Sequence, residues 1–158
     1  MTDRALVAVS ADDGWDCGVT RWFDDRHEPT DGWRTDGATL DSASSFREVV
    51  ETMDFARFDG VYRLTDDTWT AFLACWFGVE PVLGVALDDP RGDGAIVAVR
   101  SARDAAALRR WFRAAKATVA ESVRAGDLSG DDAKRRLATG LVRRAGNRET
   151  VLGRGLRA

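Results

Sequence analysis

The spacing of hydrophobic residues changes once along this chain. From Arg4 to Arg100 apolar and polar positions alternate in short runs broken by Asp and Gly, and from Arg103 to Ala145 apolar positions recur at intervals of three and four. A period of two marks strands and a period of 3.6 marks helices, so the pattern predicts a strand-rich body followed by two helices. In the body, residues 4–10 and 15–22 read as a hairpin closed at Gly14, with Trp15, Cys17 and Val19 on one face of the return strand. Residues 23–45 read as an irregular segment with turns at Asp31-Gly32 and Asp36-Gly37, long for a compact domain.

Ser44 or Ser45 then opens a short helix with Phe46, Val49, Val50 and Met53 on one side. Residues 61–64, 69–77, 81–87 and 94–100 read as further strands. The window 69–77 is apolar almost throughout, which implies burial on both faces at the sheet centre, with a short helix as the competing reading. Connections this short point to antiparallel pairing.

The two long helices are the clearest elements. Leu108, Phe112, Ala115 and Val119 form the apolar side of the first, and Arg109, Arg113, Lys116 and Arg124 are read as its opposite, basic side. Ser129 is placed to cap the second helix, Asp131 and Asp132 suit its dipole, Leu137 and Leu141 line its inner face, and Gly146 ends it. The expected fold is α+β: one domain over residues 1–146, an antiparallel sheet of about six strands, a short helix, and a C-terminal helical pair packed on the sheet. Residues 147–158, rich in Gly and Arg, are expected to be a flexible tail.

Charge sharpens this picture more than bulk composition does. The net charge of −3 conceals 20 acidic against 9 basic residues in 1–100 and 6 against 14 in 101–158. Such a split gives a dipolar surface whose basic end suits acidic partners. Aspartates outnumber glutamates 20 to 6, and only Lys116 and Lys134 among 23 basic residues are lysines, a usage that suits a salt-adapted, GC-rich source. No apolar run reaches the roughly 18 residues of a membrane span, so the expected setting is cytoplasmic, or within an assembly such as a virion, with no membrane partner. Cys17 and Cys75 stand outside any CxxC or Cys/His cluster and read as reduced core residues.

Candidate chemistry is sparse. His27 lies in Asp24-Asp25-Arg26-His27-Glu28, without the ligand spacing of a zinc or calcium site. Asp12, Asp13, Asp16, Asp66, Asp67, Asp88, Asp89 and Asp93 sit in or beside turns, where aspartate is favoured for hydrogen-bonding its own backbone. No phosphate-loop or GxSxG spacing is present. No catalytic residue, metal ligand or cofactor is therefore assigned. The best binding feature is the basic helix face: Arg109, Arg110, Arg113 and Lys116, continued by Arg135, Arg136, Arg143 and Arg144. Trp22 and Trp33, in or beside the irregular segment, are added as candidate contact residues, and the other four tryptophans are assigned to the core.

Several stretches together resemble a group of small, uncharacterised haloarchaeal proteins. They are Arg4-Ala-Leu-Val-Ala-Val before an Asp/Gly turn, Trp76-Phe-Gly78, Gly94-Ala-Ile-Val-Ala-Val-Arg100, and Trp111-Phe-Arg-Ala-Ala-Lys116 leading toward Gly126-Asp-Leu-Ser. The resemblance covers about residues 1–140 and implies a salt-adapted habitat and this architecture, without an activity or site residues. The leading functional expectation is a non-enzymatic interaction or assembly module whose basic helix face and tail meet an acidic protein partner or another copy. Sequence-tolerant nucleic-acid binding is the second expectation, and a metal-dependent enzyme using the turn aspartates and His27 is the third.

Overall fold

The computed structural model describes residues 3–30, 40–79, 83–84 and 89–155. Among them the elements run β1 (Arg4–Ala11), β2 (Gly14–Arg21), β3 (Leu40–Ala43), α1 (Phe46–Thr52), β4 (Gly60–Thr65), β5 (Thr68–Trp76), β6 (Gly94–Ala98), α2 (Ala102–Arg124), α3 (Gly130–Ala145) and β7 (Thr150–Leu152). The seven strands form one sheet in the order β3-β2-β1-β4-β5-β6-β7. The class is the expected α+β.

β1 and β2 pair from Arg4↔Arg21 to Ala11↔Gly14. Gly14 closes this hairpin at φ 138°, where a side chain would be strained and its Cβ would strike the Ala43 carbonyl. The β4–β5 turn instead places Asp66 and Asp67 at φ 49° and 62°. Two successive left-handed residues make a tight hairpin turn, and aspartate is among the few side chains that tolerate the conformation.

One pair departs from the antiparallel expectation. β1 and β4 run parallel, from Ala5↔Gly60 to Val9↔Leu64. Short connections dictate antiparallel pairing only between consecutive strands, and here β2, β3 and α1 intervene, giving the chain length to cross back.

Two further expectations change at the C-terminal side. The strand expected over 81–87 lies largely outside the described residues, and it is not the partner of β6, whose two edges are taken by β5 and β7. The segment expected as a flexible tail supplies β7, paired through Ala95↔Leu152 and Val97↔Thr150. Beyond it the Gly153 amide donates to the Gly94 carbonyl at 2.7 Å and the Arg154 amide to the Gly92 carbonyl at 2.9 Å.

Both faces of the sheet are covered, which explains the near-continuous apolar runs of β1 and β5. On one face Tyr62, Leu73, Cys75 and Val97 pack under Leu108, Phe112 and Val119 of α2 and Leu137 and Leu141 of α3. On the other, Leu6, Val61, Phe72 and Ile96 pack under Val49 and Val50 of α1, extended by Met53, Phe55 and Phe58. Burying each such side chain contributes about 1.5–3 kcal/mol. Trp15, Trp69, Trp76 and Trp111 are half-buried and pack against one or other of these clusters.

The helix ends follow the expected chemistry. Ser45, Ser101 and Ser129 each accept a hydrogen bond from a first-turn amide, of Glu48, Asp104 and Asp132 respectively. Caps of this kind are worth about 1 kcal/mol each. Gly146, at φ 63°, ends α3 with its amide donating to the Val142 carbonyl.

Candidate interaction surface

The basic residues of α2 divide into two sets. At 100° per residue, Arg109 and Lys116 lie only about 100° and 80° around the helix from Leu108, on the flank of the apolar stripe. The structure holds both there. Arg109 grips Asp24 with two parallel bonds, Nη1–Oδ2 at 2.6 Å and Nη2–Oδ1 at 2.8 Å. This pairing holds the Asp24 carboxyl below the ordinary aspartate value and raises the pKa of Arg109. Lys116 donates to the Trp76 carbonyl at 2.9 Å, with its ammonium 4.6 Å above the Trp76 ring. Their expected place on the outward face is thus corrected: each fastens α2 to the body.

Trp22 is also corrected. It is 5% exposed, its ring 5.0 Å from that of Tyr62 and its Nε1 donating to Asp24 Oδ1 at 2.7 Å. Gly60 lies under the ring, and a Cβ there would collide with it. The fully buried Tyr62 hydroxyl accepts from the Phe23 amide at 3.0 Å and donates to its carbonyl at 3.2 Å. Desolvation pushes the Tyr62 pKa up. Trp22 therefore pins the start of the irregular segment to the sheet and offers no open ring. Trp33 lies outside the described residues.

The outward set comprises Arg110 and Arg113 on α2 and Arg135, Arg136, Arg143 and Arg144 on α3, all exposed. Arg135 pairs with Asp132 at 2.9 Å, and Arg144 lies 5.9 Å from the Trp111 ring. That ring also crosses Gly140, where an added Cβ would stand 3.4 Å from it. These contacts set the antiparallel register of the two helices: Arg110 comes level with Arg143, Arg113 falls within about one turn of that level and Arg136 within about two turns of it. Arg110, Arg113, Arg136 and Arg143 have no ion pair or side-chain hydrogen bond among the described residues. Each presents a planar fork of donors suited to carboxylate or phosphate.

The residues considered for catalysis are scattered. His27 is exposed, as are Asp12, Asp13, Asp66 and Asp67 at the two hairpin tips, and Asp88 lies outside the described residues. Asp93 is engaged, with Oδ1 2.9 Å from Lys134 Nζ and Oδ2 accepting from Trp76 Nε1 at 3.3 Å. Among the described residues no three His, Cys, Asp or Glu side chains gather where they could hold a metal ion. Cys17 and Cys75 are 2% exposed, and burial pushes their thiols up to about 11 and about 12. They are protonated at neutral pH and weak as nucleophiles. No helix among the described residues is long and apolar enough to cross a membrane.

Sequence reasoning missed Asp24 and Tyr62, which shape this side of the molecule. Their partners lie 85 and 39 residues away along the chain, so no local pattern could have revealed them.

A mixed sheet with an antiparallel helical pair on one face and a basic outer surface defines a small α+β protein without a recognisable catalytic constellation among its described residues. Residues 18–152 match a family of unknown function, DUF6735, and the chain belongs to it. The match ends on Leu152, the last residue of β7. Neither the curated proteins nor the solved structures hold a match to this chain.

Proposed function

We propose that the protein is a non-enzymatic interaction module whose outer helical face, centred on Arg110, Arg113, Arg136 and Arg143, binds an acidic partner. The observation that carries this is the contrast within one helix: the flanking cations Arg109 and Lys116 are engaged by the body, whereas the outward Arg110 and Arg113 stand exposed without a carboxylate among the described residues. A partner carboxylate can meet a guanidinium with two parallel bonds. Exposed pairs are worth only about 0–1 kcal/mol each, so useful affinity requires several arginines acting together.

We also place the protein in a salt-adapted cell, in the cytoplasm or in a larger assembly such as a virion. The aspartate excess and scarcity of lysine support this setting, as does the resemblance to haloarchaeal proteins. At high ionic strength the Debye length falls to about 3 Å, so binding there rests on direct contact and little on long-range attraction.

The test is a fluorescence-anisotropy titration with a labelled oligoglutamate peptide, comparing the natural protein with an Arg110→Gln/Arg143→Gln variant. The expected result is salt-sensitive binding weakened about tenfold or more in the variant. Equal affinity for the two proteins overturns the proposal. A random-sequence DNA duplex is titrated in parallel; binding tighter than the peptide's, with a steep salt slope, would replace this reading with backbone-directed nucleic-acid binding.

A further inference from the structure

We infer that the acidic partner is a second copy of this chain, presented through the end of the sheet that carries the β1–β2 and β4–β5 turns. This rests on the arginine face being a binding surface, and it follows from the parallel β1·β4 pair. Because β1 and β4 run in the same direction, with Val9 opposite Leu64, the turns that follow them emerge at the same end of the sheet. Neighbouring strands lie about 4.8 Å apart. Asp12 and Asp13 at one tip therefore stand beside Asp66 and Asp67 at the other.

All four carboxylates are exposed and have no ion pair or side-chain hydrogen bond among the described residues. Like charges crowded together repel one another, so cations from outside lower the energy of this end. The matching surface on the same molecule is the set Arg110, Arg113, Arg136 and Arg143, equally uncompensated. Both sides are rigid: the tips ride on strands paired into the sheet interior, and the arginines on helices of 23 and 16 residues. Little backbone order is lost when such surfaces meet.

The two surfaces lie on different parts of the molecule, one at a sheet end and one on the outer side of the helical layer. A contact between them is heterologous. Each added copy leaves one acidic end and one arginine face free, so the assembly grows as a ring or an open chain.

The experiment is a complementation test by multi-angle light scattering at low salt. One variant neutralises the tips, Asp12→Asn, Asp13→Asn, Asp66→Asn and Asp67→Asn; asparagine keeps the left-handed conformation that Asp66 and Asp67 adopt. The other neutralises the helices, Arg110→Gln, Arg113→Gln, Arg136→Gln and Arg143→Gln. Unchanged circular dichroism and denaturation midpoints verify that both fold. The natural chain is expected to gain mass with concentration and lose it on adding salt, and each variant alone to stay monomeric. Mixed, the variants should form a one-to-one complex, because the pair retains a single intact acidic end and a single intact arginine face.

A natural chain that stays monomeric throughout, or variants that associate alone or fail to complement, overturns self-assembly. If the natural chain is monomeric yet still binds oligoglutamate in an arginine-dependent way, only the identity of the partner falls. If neither binding occurs, the interaction module falls with it.

Discussion

Arg109 and Arg110 are the same side chain one residue apart, and they belong to different regions of the molecule. Arg109, on the flank of α2, holds Asp24 through two bonds and is half-buried; Arg110, turned outward by one further residue, is exposed and without an ion pair among the described residues. The inner region uses its charges to fasten the helical layer, Lys116 to the Trp76 carbonyl of the sheet and Arg148, just after α3, to Asp104 of α2. The outer region leaves them available. Residue type thus says little about the role of a charge in this layer, and the helical phase relative to Leu108 and Phe112 says most.

The comparison can be broken at several points, beginning with the stripe that defines it. Leu108 is 2% exposed beneath the layer, and Leu108→Ala is expected to cost about 2–5 kcal/mol by equilibrium denaturation. A loss below about 1 kcal/mol would mean that the layer does not depend on its inner face. Arg109→Ala comes next, at about 1–2 kcal/mol, because the pair is partly open to solvent and its Coulomb energy is screened. In a double-mutant cycle with Asp24→Asn most of that cost should appear as coupling.

Titration sharpens the same contrast. Since Arg109 lowers the Asp24 pKa, the bond's contribution is present above the ordinary aspartate value and is lost as pH falls through the lowered one. The stability gap between the natural chain and Arg109→Ala should therefore close on acidification. A gap unchanged down to pH 2 would remove Asp24 as the cause. At the alkaline end the sign reverses. Burial raises the Cys17 and Cys75 thiols from 9.0 to about 11 and about 12, so the folded state keeps protons that the unfolded state releases. Stability should fall above about pH 9, and Cys75→Ser should lessen the fall even though it weakens the protein at neutral pH.

The smallest effect belongs to the outer region. Arg110→Ala and Arg143→Ala should each change stability by less than about 0.5 kcal/mol. A larger loss by thermal or chemical denaturation would show that these arginines support the fold and are not free to engage a partner.

Much of this was legible in the chain because its signals are local. The hairpin at Gly14, the interior strand β5, the caps at Ser45 and Ser129 and the stop at Gly146 all rest on residues within a few positions of one another. β3 and β7 escaped because strands of four and three residues hold too few positions to establish alternation. The parallel pairing of β1 with β4 depends on how distant strands are ordered, which periodicity does not encode. At the candidate surface, the pattern of arginines was visible, but the split between flank and outer face depends on Asp24 and the Trp76 carbonyl, supplied by the distant body.

The position of β6 between β5 and β7 also sets an order of events during synthesis. When β6 has been made, β5 is available for one edge, but the other must wait for residues 150–152, which follow both long helices. At translation rates of about 5–20 residues per second that interval lasts about 3–10 s. Throughout it an apolar edge with unpaired backbone groups is open to pairing with another nascent chain. The three residues of β7 add little to the buried core, yet their arrival ends this exposure, so β7 protects an edge of the sheet more than it fills the interior.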